Sequence, residues 1–264
     1  MFDARAHWLV PDWPAPAHVH AAVTTREGPD FARASPYGFN IGTRCGDRPV
    51  GVARNRVFLR EALALPSAPR WLHQVHGTRT VAFGSGLPPA EGEGWKGGTG
   101  VVDDEPHADA AITRSPGVVL AIQTADCLPV LFCAEDGSEI AAAHAGWRGL
   151  SAGVLEAALA AMRVPREHVI AWLGPAIAAT SYEVGDEVRA AFLARDSAAA
   201  SAFAATRPGH WLCDLYGLAR RRLRTAGVTR IFGGGFETFT DARLHSYRRD
   251  RDRSGRMASL IWMR

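Results

Sequence analysis

The chain has 264 residues, 47% of them hydrophobic, which is enough to bury a large core. Its formal net charge is only +3, so charge gives no reason to expect binding to nucleic acid or to a membrane. The four cysteines form no C-x-x-C pair, and neither a signal peptide nor a membrane span is evident. We therefore expect a cytoplasmic protein with no nucleic-acid or membrane partner.

The N-terminal third is predicted to contain a strand over residues 20–25, a polar loop over 26–46 and a helix over 47–65. The loop is long for a connection without secondary structure and carries Arg26 and Asn40, so it is a candidate binding loop. Residues 71–77, WLHQVHG, are predicted as a strand with His73 and His76 on opposite faces. Residues 84–99 are rich in Gly, Pro and Glu without periodicity, which predicts a surface insertion.

The middle of the chain is predicted to form strands over residues 108–113, 118–124, 128–133 and 139–145. An Asp-Gly pair between the last two is a common hairpin signal. Cys127 precedes the first strand of this hairpin and His144 lies at the end of the second, so we expect a thiol beside an imidazole. Asp109 and Asp126 flank apolar strands, and a buried sheet tolerates such acids only when they are paired or hydrogen-bonded.

A neighbouring thiol and imidazole are compatible with two chemistries. Cys127 and His144 can be ligands of a metal ion, or His144 can take the thiol proton and make Cys127 a nucleophile. Each chemistry needs a third group. A buried thiol and a core histidine with no function are the third alternative, and the pair by itself does not decide among them.

The C-terminal half begins with a glycine turn at residues 146–149 that leads into a helix ending near residue 162. Helix N-termini attract anions, and Arg148 would add a positive charge there. A strand is predicted over 169–173, a mostly helical stretch over 185–206, and a helix after the N-cap Asp214. Strands at 229–232 and 258–263 enclose a charged run over 246–256. This order of strands and helices is too irregular for a doubly wound sheet.

Six motifs resemble the YfiH-like laccase-domain family, in the family's order and along nearly the whole chain. They are WLHQVHG, ADAAIT, TADCLPVLF, AAAHAGWRG, LGPAI with YEVG, and SYRRDRDRSGR. The family is described as purine nucleoside phosphorylases with adenosine deaminase activity. The resemblance implies a single α/β domain over residues 1–264, with mixed β-sheets covered by helices, similar to toxin deamidases that have a catalytic Cys and His. The 84–99 segment would be an insertion into it.

The resemblance also implies a set of site residues. His76, Cys127 and His144 would be the catalytic metal ligands, and this set suits zinc with an open fourth position better than copper. The expected substrates are purine nucleosides (adenosine, inosine, guanosine, methylthioadenosine) and phosphate. We expect Arg26, Arg148 and Arg248 to contact anions, Tyr182 to contact the base or ribose, and Asn40 to contact substrate. The expected assembly is a monomer or weak homo-oligomer.

Two other functions remain open from the sequence. A copper polyphenol oxidase is the family's older description, but copper oxidase sites need many imidazoles and the chain has ten histidines with a single H-x-H. A metal-free hydrolase or deamidase would use Cys127 as nucleophile and His144 as base. The acid that protonates the leaving purine is also open among Asp109, Asp126 and Glu183.

Overall fold

The computed structural model describes residues 8–84 and 105–264. The β-strands in these ranges are β1 (Trp8–Leu9), β2 (Val19–Thr24), β3 (Thr80–Phe83), β4 (Ala110–Thr113), β5 (Val119–Thr124), β6 (Leu128–Ala134), β7 (Ile140–Ala145), β8 (Val169–Leu173), β9 (Glu183–Gly185), β10 (Phe203–Arg207), β11 (His210–Cys213), β12 (Arg230–Gly233) and β13 (Met257–Met263).

The α-helices in the same ranges are α1 (Asp30–Arg33), α2 (Pro49–Ala62), α3 (Trp147–Ala152), α4 (Val154–Ala161), α5 (Asp186–Leu193), α6 (Leu215–Thr225) and α7 (Tyr247–Asp250). Short 3-10 turns cover Arg166–His168, Ser197–Ala202 and Arg251–Arg253. The N-cap predicted at Asp214 is confirmed, because its carboxylate accepts a hydrogen bond from the Gly217 N–H in the first turn of α6.

The strands form three sheets. A six-stranded sheet has the order β12-β8-β6-β7-β4-β3, with parallel pairs only at its two edges. A four-stranded antiparallel sheet has the order β1-β2-β13-β5, and a small antiparallel sheet has the order β10-β11-β9. Helices and mixed sheets together confirm the predicted α+β class. The β6–β7 hairpin lies at the centre of the largest sheet.

The two larger sheets and the helices are stacked in layers. Val130 and Phe132 of β6 pack in one core with α3, α4 and α6, whereas Leu131 and Cys133 pack in a second core against the four-stranded sheet. Helix α2 covers the other face of that sheet, where Leu59 joins a third core. A strand buried on both faces needs a continuous apolar run, and the 128–133 segment has one. The layers therefore place the central hairpin deep in the molecule.

The strand predicted over residues 71–77 is wrong, and one predicted helix is divided in two. Residues 71–77 are irregular apart from a single bridge between His73 and His107, because the amides of this segment bind a carboxylate rather than a neighbouring strand. The stretch 185–206 is mostly helical as predicted, in α5 and the 3-10 turn Ser197–Ala202, and its last residues belong to β10. The helix predicted from the glycine turn to residue 162 is divided at Gly153, whose positive φ of 109° interrupts it between α3 and α4.

Most of the predicted insertion, residues 85–99, lies outside the described residues. Across residues 8–84 and 105–264, no helix combines the length and the hydrophobicity needed to cross a bilayer.

Candidate functional site

Cys127 and His144 come together at one end of the β6–β7 hairpin. Cys127 immediately precedes β6, and His144 of β7 is the pairing partner of Pro129 in the antiparallel register. Asp126 has a positive φ of 86°, and its carboxylate accepts hydrogen bonds from Thr238 Oγ1 and from the Arg248 N–H, each at 2.6 Å. These bonds hold the turn that directs the Cys127 side chain.

His76 joins the pair from the irregular segment after residue 71, where it has a positive φ of 61°. The buried carboxylate of Asp109 accepts hydrogen bonds from the backbone N–H groups of Val75, His76 and Gly77 at 2.7–3.1 Å. The same carboxylate lies 2.8 Å from His144 Nδ1. The Asp109 side chain thus connects the segment that carries His76 to the strand that carries His144.

The ligand atoms of His76, Cys127 and His144 lie within 4.8 Å of one another. Cys127 Sγ is 3.8 Å from His76 Nε2, and the two imidazole rings pack edge to face with centroids 4.7 Å apart. His144 is almost fully buried, whereas Cys127 is half-buried and His76 is exposed on the solvent side. The cluster is therefore open toward solvent on one side.

Electrostatics favours the thiolate form of Cys127. Burial opposes charge on the sulfur, but the His144 imidazole and then His76 outweigh it and lower the pKa of Cys127 to about 6. Burial likewise opposes the cationic form of His144, yet the Cys127 thiolate and Asp109 raise its pKa to about 9. A thiolate and two imidazoles are a donor set that suits a metal ion such as zinc.

The tautomer of His144 also fits metal binding. A carboxylate accepts hydrogen bonds but cannot donate them. His144 Nδ1 therefore carries a hydrogen and donates it to Asp109 Oδ1, which lies 2.8 Å away. Nε2 of His144 is then left for the cluster, where it becomes a ligand when a metal ion displaces its proton. Gly146 leaves room for the side chains of His76 and Cys127, since a Cβ at this position would lie 2.8 Å from His76 Cδ2 and 3.0 Å from Cys127 Sγ.

Two cavities meet at Cys127. The larger, of about 370 Å³, has His73, His76 and His144 in its wall together with Arg44 and Arg256. The smaller, of about 150 Å³, is enclosed by aromatic and apolar side chains together with Asp126 and Arg248. Ala125, Cys127 and Tyr247 line both cavities.

Two of the residues predicted to contact substrate line the smaller cavity. Tyr182 contributes its ring, and the Arg248 guanidinium lies over that ring at 5.4 Å from its centroid. Arg248 also donates two hydrogen bonds to the Glu183 carbonyl at 3.1 and 3.2 Å. Burial raises the pKa of the Tyr182 hydroxyl well above its ordinary value, so it is protonated at neutral pH.

The other three residues predicted to contact substrate, Arg26, Arg148 and Asn40, line neither of these two cavities. Arg26 forms an ion pair with Asp250 at 3.2 Å, beside a separate surface cavity within the arginine-rich segment. Arg148 is exposed and lies over the ring of Trp147, but it is not itself in the wall of either cavity. Asn40 is fully buried, and its amide holds the loop at Gly42 and the backbone of Arg256.

The three acids considered for protonating the purine are also separated. Asp109 is buried behind His144, where four donors use its oxygens. Glu183 forms a partly exposed ion pair with Arg207 beside another groove. Asp126 lies at the smaller cavity, but its two oxygens accept hydrogen bonds from Thr238 and Arg248.

Sequence reasoning did not single out several residues of the cavity walls. Arg44 comes from the polar loop, where nothing distinguishes it from its neighbours, and Arg256 is one of several arginines in the SYRRDRDRSGR motif. Trp147 and Tyr247 belong to motifs that carry the family resemblance, which is the signal that could have found them. The role of Asp109 was partly foreseen, because an acid in an apolar strand requires hydrogen-bond partners.

Residues 20–264 match a family model described as multi-copper polyphenol oxidoreductase laccase. The chain is 51% identical over 261 residues to a purine nucleoside phosphorylase of Xylella fastidiosa (strain 9a5c), covering 97% of this chain and 96% of the relative. It is 46% identical over 257 residues to purine nucleoside phosphorylase YfiH of Escherichia coli (strain K12), covering 97% of this chain and 98% of that one.

Solved structures with the same fold include protein NMB0706 of Neisseria meningitidis, with a TM-score of 0.85 and 42% identity, covering 97% of this chain and 99% of that one. YlmD of Geobacillus stearothermophilus superposes with a TM-score of 0.83 at 29% identity, covering 98% of this chain and 96% of that one. The layered mixed fold is therefore shared with both proteins.

Proposed function

We propose that this chain, which belongs to the family described as multi-copper polyphenol oxidoreductase laccase, is a zinc-dependent purine nucleoside phosphorylase. The relatives from Xylella fastidiosa and Escherichia coli carry the name purine nucleoside phosphorylase. Its substrates would be adenosine, inosine, guanosine or methylthioadenosine together with phosphate, and it would also deaminate adenosine. The observation that carries the proposal is the cluster of His76, Cys127 and His144 where the two cavities meet.

In phosphorolysis, a phosphate oxygen forms a bond to C1′ of the ribose while the bond from C1′ to purine N9 breaks. The bonding electron pair leaves with the purine, which takes up a proton. In deamination, the oxygen of water replaces the 6-amino group and ammonia leaves. A zinc ion held by His76, Cys127 and His144 would supply Lewis acidity for these charge changes.

The protein's own residues would prepare the site for both reactions. Asp109 keeps His144 in the tautomer whose Nε2 faces the cluster. The neighbouring imidazoles keep Cys127 in the thiolate form that a metal requires. The rings of Trp147 and Tyr182 make the smaller cavity apolar, which excludes water from a bound base.

A copper oxidase receives less support from the site. Multicopper chemistry needs several clusters of imidazole ligands, and His76, Cys127 and His144 form the one group of three or more metal-binding side chains within residues 8–84 and 105–264. Copper would give a visible absorption band and oxygen uptake. We expect neither.

A second candidate is a metal-free hydrolase or deamidase, and one observation favours it. Cys127, His144 and Asp109 are placed as nucleophile, base and orienting acid, since Asp109 binds His144 Nδ1 and the imidazole lowers the pKa of the thiol. The rate at which iodoacetamide alkylates Cys127 distinguishes the two candidates. In a zinc enzyme, zinc bound to the Cys127 thiolate would slow the alkylation. In a metal-free hydrolase, zinc would leave the alkylation rate unchanged and a substrate analogue would slow it.

The deciding experiment measures zinc and copper by elemental analysis and follows inosine and adenosine by liquid chromatography with and without phosphate. We expect about one zinc per chain and phosphate-dependent release of hypoxanthine or adenine, both lost in Cys127→Ala. Cys213→Ala is the matched control, because this buried thiol lies at the end of β11 and not in the cluster. Metal-free protein that leaves nucleosides unchanged would refute the proposal.

A further inference from the structure

We propose that the two cavities divide the substrates, with the purine base in the smaller one and the ribose and phosphate in the larger one beside Arg44 and Arg256. This assignment rests on the proposed phosphorylase function and adds to it a phosphate subsite with named residues. It also predicts that Arg26, Arg148 and Arg248 are not the main phosphate contacts.

The lining of the smaller cavity suits a flat heterocycle. Trp147, Tyr182 and Tyr247 present aromatic rings, and Ile177 and Leu215 add apolar surface. Aromatic rings stack on nucleobases, because each base has a flat π face. At about 150 Å³ this cavity is less than half the size of its neighbour, so the smaller, less polar part of the substrate belongs here.

The larger cavity has two arginines in fixed positions. Arg44 forms an ion pair with Glu105, and the Arg256 guanidinium donates to the carbonyls of Ser254 and Gly255 at 2.8 and 3.0 Å. Glu105 also pairs with Arg56 at 3.3 Å, so a second arginine holds the acid that Arg44 contacts. Guanidinium groups held in place lose little freedom when they bind the oxygens of a phosphate.

Two hydroxyl groups in the same wall have no hydrogen-bond partner among the described residues. Thr43 Oγ1 and Thr124 Oγ1 are both buried, and Thr124 as a whole is only 2% exposed. Buried polar atoms in native proteins normally have a partner, so a ligand bound against Thr43 and Thr124 would supply acceptors that the described residues do not. Oxygens of phosphate and ribose can accept from both hydroxyls.

Asn40 fixes this wall from behind. Its Oδ1 accepts hydrogen bonds from the backbone N–H of Gly42 and of Arg256, each at 2.8 Å, and its Nδ2 donates to Asp47 at 2.9 Å. One buried amide therefore holds the loop beside Thr43 and Arg44 to the segment that carries Arg256. Asn40 is a positioning residue for the subsite rather than a contact with substrate.

The relative placement of the two cavities suits the displacement at C1′. A phosphate oxygen that attacks C1′ approaches from the side opposite the departing purine, so the two groups must lie on opposite sides of that carbon. The cavities adjoin at Cys127 and Tyr247, and the bond from C1′ to N9 would lie at this junction. Tyr247 is 47% exposed there and can cover the ribose.

Steady-state phosphorolysis of inosine by the zinc-loaded enzyme tests the assignment through separate KM values for phosphate and for inosine. For Arg256→Gln we expect the KM for phosphate to rise about tenfold or more, since a hydrogen bond to a charged group is lost. Thr43→Val and Thr124→Val remove only a hydroxyl and should raise it about two- to tenfold. Tyr182→Leu should raise the KM for inosine and leave that for phosphate unchanged.

Arg60→Gln is the matched charge control, because this exposed arginine of α2 lines neither of the two cavities. An Arg248→Gln variant that raises the KM for phosphate, while Arg256→Gln leaves it unchanged, would overturn the assignment but keep the phosphorylase. A wild type without phosphate-dependent cleavage would overturn the proposed function.

Calorimetric titration with inorganic phosphate alone and with hypoxanthine alone tests the subsites without turnover. We expect Arg256→Gln to weaken binding of phosphate and Tyr182→Leu to weaken binding of hypoxanthine. The division of the substrate between the two cavities would be contradicted if both variants lost affinity for phosphate and for hypoxanthine equally. It would also be contradicted if the wild type did not bind phosphate.

Discussion

At the scale of single residues, Asp109 connects two of the three candidate metal ligands. Three of its hydrogen bonds hold the backbone around His76, and the fourth holds the His144 ring. The pKa of Asp109 is lowered even though its burial acts in the opposite direction, because His144 and the Gly77 amide stabilise the carboxylate. Asp109 is therefore a charged acceptor and unsuited to giving a proton to a leaving purine.

Asp109→Asn should weaken zinc binding about 10- to 100-fold, because an amide has one acceptor oxygen and its NH₂ group would face backbone N–H groups. Competition with a chromophoric chelator measures the affinity, and the absorption spectrum of the cobalt-substituted protein reports the ligand geometry. Asp136→Asn, at the exposed turn of the β6–β7 hairpin, is the matched control. An unchanged affinity and spectrum would mean that Asp109 only stabilises the fold.

At the scale of elements, the turn from β7 into α3 brings the helix close to the candidate ligands. Gly146 lies against His76 and Cys127, and a Cβ at Gly149 would lie 2.8 Å from the Gly77 carbonyl. Contacts below 3.0 Å require a shift of one partner, and both glycines face the segment that carries His76. The glycines of this motif thus serve close packing at the site.

Gly146→Ala should weaken zinc binding while the protein stays folded, because the added methyl group displaces His76 or Cys127. Gly51→Ala is the matched control: it lies in α2, and a Cβ there meets nothing within 4 Å. The control should keep the wild-type zinc affinity and gain up to about 1 kcal/mol of stability from the better helix propensity. Chelator competition and thermal unfolding measure the two quantities; wild-type affinity in Gly146→Ala would refute the steric argument.

At the scale of the whole molecule, the N-terminal loop and the C-terminal segment are held together around a buried histidine. His245 is 1% exposed, its Nε2 lies 3.3 Å from the Phe39 carbonyl, and Gly255 packs against its ring. Burial is the main reason that its pKa falls to about 3; Arg26 and Arg256 act in the same direction, while the Phe39 carbonyl and Asp250 oppose them. His245 is therefore neutral in the folded protein at physiological pH.

The low pKa of His245 should make folding stability fall as the pH drops below 6.5, the ordinary value at which the unfolded chain gains this proton. The contribution of neutral His245 to the free energy of unfolding is complete above pH 6.5. It is lost progressively as the pH falls toward the pKa of His245 in the folded protein, about 3. His245→Gln keeps a donor for the Phe39 carbonyl but does not titrate. Between about pH 7.5 and 5.5, the wild type should lose about 1 kcal/mol more than this variant.

Urea unfolding in the presence of a chelator measures this difference without a contribution from metal. Equal pH dependence of the two proteins would show that His245 is protonated at its ordinary pKa in the fold.

Sequence reasoning brought Cys127 and His144 together because an Asp-Gly hairpin between two apolar runs has a definite geometry. His76 entered through the family resemblance, because a strand over residues 71–77 would let only one of His73 and His76 face the pair. The structure has no such strand there. The predicted substrate contact of Asn40 stays a prediction, although its amide holds the backbone of Gly42 and Arg256. A polar residue in a functional loop can bind substrate, hold the loop or face solvent, and local sequence does not distinguish these roles.

The sequence by itself determined the order of most strands and helices, the buried central hairpin and the residue types able to bind a metal. These follow from short-range hydrophobic patterns, turn residues and caps. Only the tertiary structure decided how Asp109 joins His76 to His144, which arginines line a cavity, and where the two cavities meet. Such contacts join segments far apart in the chain, for example Asn40 and Arg256, and their distances depend on the packing of whole layers.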